Sequence, residues 1–154
     1  MSVQSSPSSP GALSHCDNIA RSATDLWLLI GRVLIGWLFF YSGWTKLNGM
    51  AGFTGYLKSL GAPEGLQWIA APAEFLLGAL LILGFATRYA AVLGMLFMIV
   101  ATALAHRYWE YTGPAVQAQF NNFVKNLAIF GAMFYVFVTG AGRFSLDGML
   151  GKRS

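Results

Sequence analysis

The fold is decided by residues 26–46, which read LWLLIGRVLIGWLFFYSGWTK. At 1.5 Å per residue, a helix over this range crosses the roughly 30 Å hydrocarbon core of a lipid bilayer. Lipid offers the backbone no hydrogen-bond partner, so an apolar stretch of this length is expected to be helical. The stretch carries two basic residues, Arg32 and Lys46. It predicts a transmembrane helix with charge held inside or near the membrane.

Three further apolar blocks of similar length follow, at residues 66–85, 89–106 and 123–142. With the first block they predict an all-α integral membrane four-helix bundle. The short alternating segments typical of an outer-membrane barrel are absent from the sequence. The composition agrees, because 56% of the residues are hydrophobic and 10% are charged, whereas soluble domains carry about 25% charged residues. The composition therefore argues against a soluble enzyme.

The sequence divides into three parts. Residues 1–22 are rich in Ser and Pro and are predicted to be a disordered tail, residues 23–148 form the membrane domain, and residues 149–154 form a basic C-terminal tail. Within the membrane domain, the loop at residues 47–65 contains aromatic residues and is expected to lie at the membrane interface. The loop at residues 107–121 is expected at the surface as well.

The distribution of the basic residues predicts the orientation of the protein in the membrane. One side of the predicted bundle collects five of them and the other side four: Arg21, Arg88, Arg143, Lys152 and Arg153 against Lys46, Lys58, Arg107 and Lys125. Basic residues favour the cytoplasmic side of a membrane protein. Both termini are therefore predicted to be cytoplasmic.

Ionisable residues inside spanning helices are functional candidates, because burying them in lipid is unfavourable. Helical periodicity predicts an intramembrane polar network formed by Arg32, Glu74, Lys125 and Asn126. Glu74 is central to this network and is predicted to pair with either Arg32 or Lys125. A buried ion pair can also fix helix register without any chemistry, so a purely structural role stays open.

Small residues are predicted to line the faces on which the helices meet. In the first helix, Gly36 and Gly43 share an arc with Arg32 and Lys46. In the second helix, Gly78 shares a face with Glu74. The face predicted for the fourth helix consists of Asn121, Lys125, Ala128, Ala132 and Thr139.

Several chemistries are not expected. The single cysteine, Cys16, allows no disulfide within one chain, and His106 is the one histidine near a predicted span, so a bis-histidine haem is not expected. The sequence contains no metal-ligand spacing, phosphate-binding loop or Ser–His–Asp set. Its basic residues are scattered singly, which argues against a nucleic-acid partner. Membrane lipid is the expected surrounding.

Seven segments, taken in order, resemble the DoxX family of small four-helix bacterial membrane proteins. They span most of residues 26–148 and lie at 31–36, 42–47, 73–78, 84–88, 105–106, 125–128 and 140–147. The resemblance implies a multi-pass protein of the bacterial cytoplasmic (inner) membrane. It also implies that the polar positions of the family fall on Arg32, Lys46, Glu74, His106, Lys125 and Asn126.

The family takes its name from a subunit of an archaeal quinone-linked membrane oxidoreductase, so the resemblance implies an oxidoreductase-like role. One hypothesis is a quinone-interacting subunit, in which Lys46, His106, Lys125 and Asn126 contact quinone and a partner redox subunit supplies electrons. A second is a structural or assembly subunit of a membrane complex. A third is a homo-oligomer that forms a small-molecule or ion pathway. Neither haem nor a metal is expected.

Overall fold

A computed structural model of the chain describes residues 12–151, and all regular structure in that range is helical. The helices are α1 (Ala12–Ser22), α2 (Thr24–Asn48), α3 (Met50–Ser59), α4 (Gln67–Leu83), α5 (Thr87–Ala105), α6 (Pro114–Thr139) and α7 (Leu146–Leu150). A short 3₁₀ turn, Tyr108–Glu110, lies between α5 and α6.

Three segments of the described chain are long and apolar enough to cross a membrane. They are Thr24–Asn48, Thr87–Glu110 (α5 with the 3₁₀ turn) and Pro114–Thr139. Helix α4 is also apolar but has 17 residues, which corresponds to about 26 Å. The prediction of an all-helical membrane protein is confirmed, with three candidate spans and one shorter apolar helix.

Helices α2 and α4 pack with their backbones in close contact. A Cβ atom added to Gly43 would lie 2.3 Å from the backbone nitrogen of Phe75, and one added to Gly78 would lie 2.2 Å from that of Phe40. No larger side chain fits at either position, so the small residues set the distance between the helices. The predicted faces of these two helices are confirmed, since Arg32 and Glu74 are buried with them.

The apolar core joins α2, α4, α5 and α6. Its buried members are Phe39, Leu77, Leu81, Ala90, Ala91, Met98, Met133 and Val136. Most large apolar side chains outside this core are exposed. That distribution suits a protein surrounded by lipid, where apolar side chains need no cover from water.

Helix α6 differs from its prediction in extent and in face. It begins at Pro114 rather than near residue 123, because Pro is preorganised for the start of a helix and the Ala and Gln residues at positions 115, 117, 118 and 119 are good helix formers. The buried residues of α6 are Asn126, Met133 and Val136. The face predicted from Asn121 to Thr139 was therefore wrong, and Lys125 on that face is exposed.

The chain before α2 also differs from its prediction. The sequence predicted a disordered tail through residue 22, but Ala12–Ser22 is helical. This stretch contains neither Pro nor Gly, so no residue in it breaks a helix. The rest of the predicted tail, residues 1–11, lies outside the described residues.

Two further short helices lie outside the four long apolar helices, one in the loop after α2 and one after α6. The loop predicted at the interface contains α3, with Leu57 buried. At the other end of the chain, α7 runs to Leu150, beyond the predicted boundary at residue 148. Lys152 and Arg153 of the predicted basic tail lie outside the described residues.

Candidate functional site

A cavity of about 270 Å³ lies where α2, α3, α4, α5 and α6 meet, and we call it the polar cavity. Leu, Ala, Val, Met and Phe side chains form most of its wall. Its polar lining residues are Ser42, Lys46, Tyr56, Glu74, His106, Lys125 and Asn126. All four residues predicted from the sequence to contact quinone therefore line one cavity: Lys46, His106, Lys125 and Asn126.

Glu74 of α4 forms an ion pair with Lys46 at the last turn of α2. The glutamate side chain is 6% exposed and the lysine side chain 30% exposed. The lysine ammonium also lies 5.3 Å from the centre of the Phe53 ring of α3, within cation–π range. The wall of the cavity therefore contains a hydrogen-bonded pair of opposite charges.

The predicted partners of Glu74 were wrong. Arg32 lies 14 positions before Lys46 on α2, which is about 21 Å along the helix axis and beyond the reach of any side chain. Lys125 instead donates a hydrogen bond to Asn122 Oδ1 at 3.2 Å. The sequence analysis did not consider Lys46 as the partner of Glu74, because a lysine near a helix end is usually solvated by interfacial water.

Asn126 connects α6 to α5 at the edge of the cavity. Its side-chain Nδ2 donates to Thr102 Oγ1 at 3.0 Å, and the residue is 6% exposed. The bond satisfies one of the two amide hydrogens and leaves the other for a ligand. Of the predicted network, then, Glu74, Lys125 and Asn126 line the same cavity, while Arg32 does not.

His106 follows the last residue of α5 and faces the long polar start of α6. Its Nδ1 lies 2.9 Å from Gln119 Oε1, which orients the ring. Because one ring nitrogen is occupied in this way, the other is the one free for a ligand. Gln119 was missed because its stretch was predicted as a loop, which hid the helical face it shares with Phe123 and Asn126.

Helix α3 closes one end of the cavity through Phe53, Tyr56 and Leu57. Burial raises the pKa of Tyr56, and the neighbouring Tyr111 raises it further. Its hydroxyl therefore stays protonated and able to donate a hydrogen bond near neutral pH. The sequence indicated an interfacial segment here but not its contribution to the cavity.

Arg32 belongs to a separate cluster at the opposite end of α2, which we call the C-terminal clamp: Arg32, Gly84, and residues 140–150. The buried guanidinium donates to the backbone oxygens of Ala141 at 2.7 Å and Phe144 at 2.8 Å. A Cβ on Gly84 would lie 2.0 Å from Arg32 Nη1. Arg32 thus holds the segment after α6 against the end of α4.

Asp147 completes the clamp by capping α5. Its two carboxylate oxygens accept hydrogen bonds from the backbone N–H groups of Ala86 at 2.8 Å and Thr87 at 2.9 Å. Burial opposes ionisation of this carboxyl, but the hydrogen bonds and the charge of Arg32 outweigh it, so the pKa of Asp147 is lowered. The bonds of the clamp join parts of this chain to one another, which is a structural role, and one donor of the clamp, the buried Arg32 Nε, has no hydrogen-bond partner among the described residues.

With this geometry in place, comparison with known proteins identifies the family. The model of the DoxX family matches residues 27–107, and the chain belongs to that family. The matched range contains Lys46, Glu74 and His106 of the polar cavity, whereas Lys125 and Asn126 lie beyond it. No solved structure matches the chain.

Two relatives from Escherichia coli cover most of the chain. Inner membrane protein YphA is 38% identical over 128 residues, which is 82% of this chain and 91% of YphA. Inner membrane protein YqjF is 31% identical over 133 residues, 86% of this chain and 98% of YqjF. With three candidate spans, the chain is a multi-pass protein of the bacterial inner membrane.

A third relative matches in part. The protein named "Putative oxidoreductase CatD" from Bacillus subtilis is 35% identical over 77 residues. The match covers 50% of this chain and 58% of that protein.

Proposed function

We propose that the protein binds the headgroup of a lipid-soluble quinone in the polar cavity, as a membrane subunit of an oxidoreductase complex. The observation that carries the proposal is the convergence of Lys46, His106, Lys125 and Asn126 on one otherwise apolar cavity. Ligand sites in proteins combine an apolar wall with a few placed polar groups in this way. The partial relative named as an oxidoreductase supports the same class.

The proposal includes a topology in which α2, α4, α5 and α6 all cross the membrane as a four-helix bundle. The end of α2, the starts of α4 and α6 and the end of α5 then share one side, as the lining of the cavity requires. In this topology both termini and the C-terminal clamp lie in the cytoplasm, a proposal that the bias of basic residues supports. The polar cavity then lies in the non-cytoplasmic half of the membrane.

The side chains of the cavity fit a headgroup with two carbonyl oxygens. Lys46 and Lys125 each have ammonium hydrogens beyond the one used within the chain, and Asn126 has its second amide hydrogen. Glu74 lies beside Lys46 and accepts hydrogen bonds, so it is placed to hold a proton at the edge of the cavity. Lys46, Lys125 and Asn126 bind and orient the headgroup, and the Glu74 carboxylate accepts a proton from it.

Quinone supplies two-electron, two-proton redox chemistry when bound. The chain has no His, Cys, Asp or Glu cluster for a metal within residues 12–151. The proposal therefore assigns electron delivery to a partner redox subunit of the complex. The part played by this chain is to hold the headgroup and to provide Glu74 as a proton acceptor.

The test measures the quinone content of protein purified in lipid nanodiscs and the binding of an added benzoquinone. Lys125→Ala and His106→Ala are each expected to weaken binding about tenfold, the effect of losing one hydrogen bond. Lys58→Ala is the matched control, because Lys58 is exposed on α3 and does not line the cavity. A folded preparation that neither contains nor binds quinone refutes the proposal.

A structural or assembly subunit is the second candidate. The ion pair between Lys46 and Glu74 and the hydrogen bond between Asn126 and Thr102 each join two helices, and such bonds hold a bundle together without chemistry. Recovery of a stable partner complex that assembles equally well with Lys125→Ala and His106→Ala, without any bound quinone, favours this candidate.

A further inference from the structure

A second concave surface, the α4–α5 groove, lies beside the polar cavity. Its volume is about 340 Å³, and every residue lining it is Leu, Ile, Ala, Phe or Val. Four of these residues also line the polar cavity: Leu66, Ala70, Phe97 and Val100. The two spaces therefore adjoin, and the wall they share is apolar.

The polar cavity is too small for a ligand with a long chain. Its volume of about 270 Å³ lies just below the range of roughly 300–1,000 Å³ that holds drug-sized molecules. It has room for a ring-sized headgroup with its polar contacts. The chain of a lipid-soluble molecule must therefore leave the cavity between two helices.

The contacts around the cavity favour the gap between α4 and α5. Helix α3 covers the end through Phe53 and Tyr56. On the α5–α6 side, the hydrogen bond from Asn126 to Thr102 joins the two helices where the cavity meets another apolar groove, which we call the α5–α6 groove and which is also lined by Ala103 and Leu127. Within the described residues, no side-chain hydrogen bond or ion pair links α4 to α5.

We propose that the α4–α5 groove holds the apolar chain of the ligand whose headgroup occupies the polar cavity, an inference that rests on the proposed function. The ligand class is then an amphiphile, a quinone bearing an alkyl or polyprenyl chain, rather than a free ring. The groove follows α4 from Leu66 to Leu80, which is about 21 Å along the helix. The chain thus runs from the headgroup level towards the membrane interior, the direction an amphiphile takes in a bilayer.

The experiment blocks one groove at a time in the full chain, reconstituted in nanodiscs. Ala73→Phe fills the α4–α5 groove, and Ala73 does not line the polar cavity. Ala103→Phe is the matched control, since Ala103 lines the α5–α6 groove and both alanines are exposed. The probes are a dimethoxy-methyl-benzoquinone bearing a decyl chain and the same ring without it.

Ala73→Phe is expected to weaken binding of the decyl probe several-fold, because the new ring occupies the space of the chain and removes its packing contacts with the groove. Binding of the ring alone is expected to be unchanged, and Ala103→Phe is expected to change neither probe. A photoreactive group at the end of the decyl chain is expected to label peptides containing Leu93 and Leu96. Circular dichroism checks that both variants fold.

The possible outcomes separate the two proposals. If the unmodified protein binds both probes but Ala73→Phe has no selective effect, the placement of the apolar chain of the ligand is overturned and quinone binding stands. Labelling of Ala103 and Leu127 by the photoreactive group leads to the same conclusion. Equal affinity of the unmodified protein for both probes also overturns it. If neither probe binds, the proposed function fails and the inference fails with it.

Discussion

Replacing Lys46 by Gln is expected to destabilise the protein more than replacing Glu74 by Gln, although both changes break the same ion pair. The two ends of the pair differ in their surroundings. Glu74 lies within α4 with 6% of its side chain exposed, whereas 30% of the Lys46 side chain is exposed at the last turn of α2. The variant that leaves the glutamate alone therefore strands the more deeply buried charge.

The magnitudes follow from this difference. Lys46→Gln is expected to lower the free energy of unfolding by about 3 kcal/mol, the lower end of the effect of removing one partner from a buried pair. Glu74→Gln leaves a lysine that can extend to interfacial water and is expected to lower it by about 1–2 kcal/mol. The double variant contains no stranded charge and is expected to resemble Glu74→Gln. The coupling energy of the pair is then about 3 kcal/mol, the whole effect of Lys46→Gln.

The assay is reversible unfolding by SDS of protein held in mixed micelles, followed by circular dichroism for the four members of the cycle. A parallel cycle pairs Arg32→Gln with Glu74→Gln, and its effects are expected to add because the two sites are far apart. A coupling energy below about 0.5 kcal/mol for Lys46 and Glu74 refutes the ion pair. Strong coupling of Glu74 to Arg32 contradicts the placement of Arg32 in the clamp.

Three further predictions concern packing and the clamp. Gly78→Ala is expected to destabilise the protein by about 1–3 kcal/mol in the same assay, because the new Cβ would overlap the backbone of Phe40. Gly131→Ala is the control, since a Cβ atom at that position would meet nothing within 4 Å, and it is expected to be neutral or stabilising. Arg32→Lys keeps the charge but cannot reach both carbonyl oxygens in a fork, so it is expected to cost about 1–3 kcal/mol; equal stability would contradict the two bonds. Because the pKa of Asp147 is lowered by folding, its contribution to stability is present above the ordinary range of Asp and is lost as the pH falls through its lowered value. Asp147→Asn is expected to flatten that acid-side loss in a pH series of unfolding curves, and an unchanged slope would contradict it.

The sequence predicted the helices and the membrane from apolar blocks, and it identified the buried faces of α2 and α4 from the spacing of small residues. Both results depend on local patterns in the sequence, because lipid requires a spanning segment to be apolar and helical. The same reasoning misplaced α6, because the helix extends beyond the apolar block that marked it. Polar residues outside the hydrocarbon carry no apolar signal, so the start at Pro114 was hidden.

The sequence identified polar residues that line the cavity, but it predicted the wrong partners for Glu74. Periodicity places a side chain on a face, but the rise of 1.5 Å per residue decides what it reaches. By that rise, Arg32 and Glu74 lie at different depths along the helix axes, whereas Lys46 and Glu74 lie at the same depth. Asp147 was missed altogether as a cap for α5, since its partners at Ala86 and Thr87 are some 60 residues away and such contacts leave no local pattern.

The clamp has a consequence for how the protein is made. Arg32 emerges from the ribosome with the first candidate span, but its acceptors on Ala141 and Phe144 lie 109 and 112 residues later. At about 5–20 residues per second, roughly 5–20 s pass before those carbonyls exist. During biogenesis this span therefore holds an arginine whose partners are translated about 110 residues later. The clamp can form only after all three candidate spans have been synthesised.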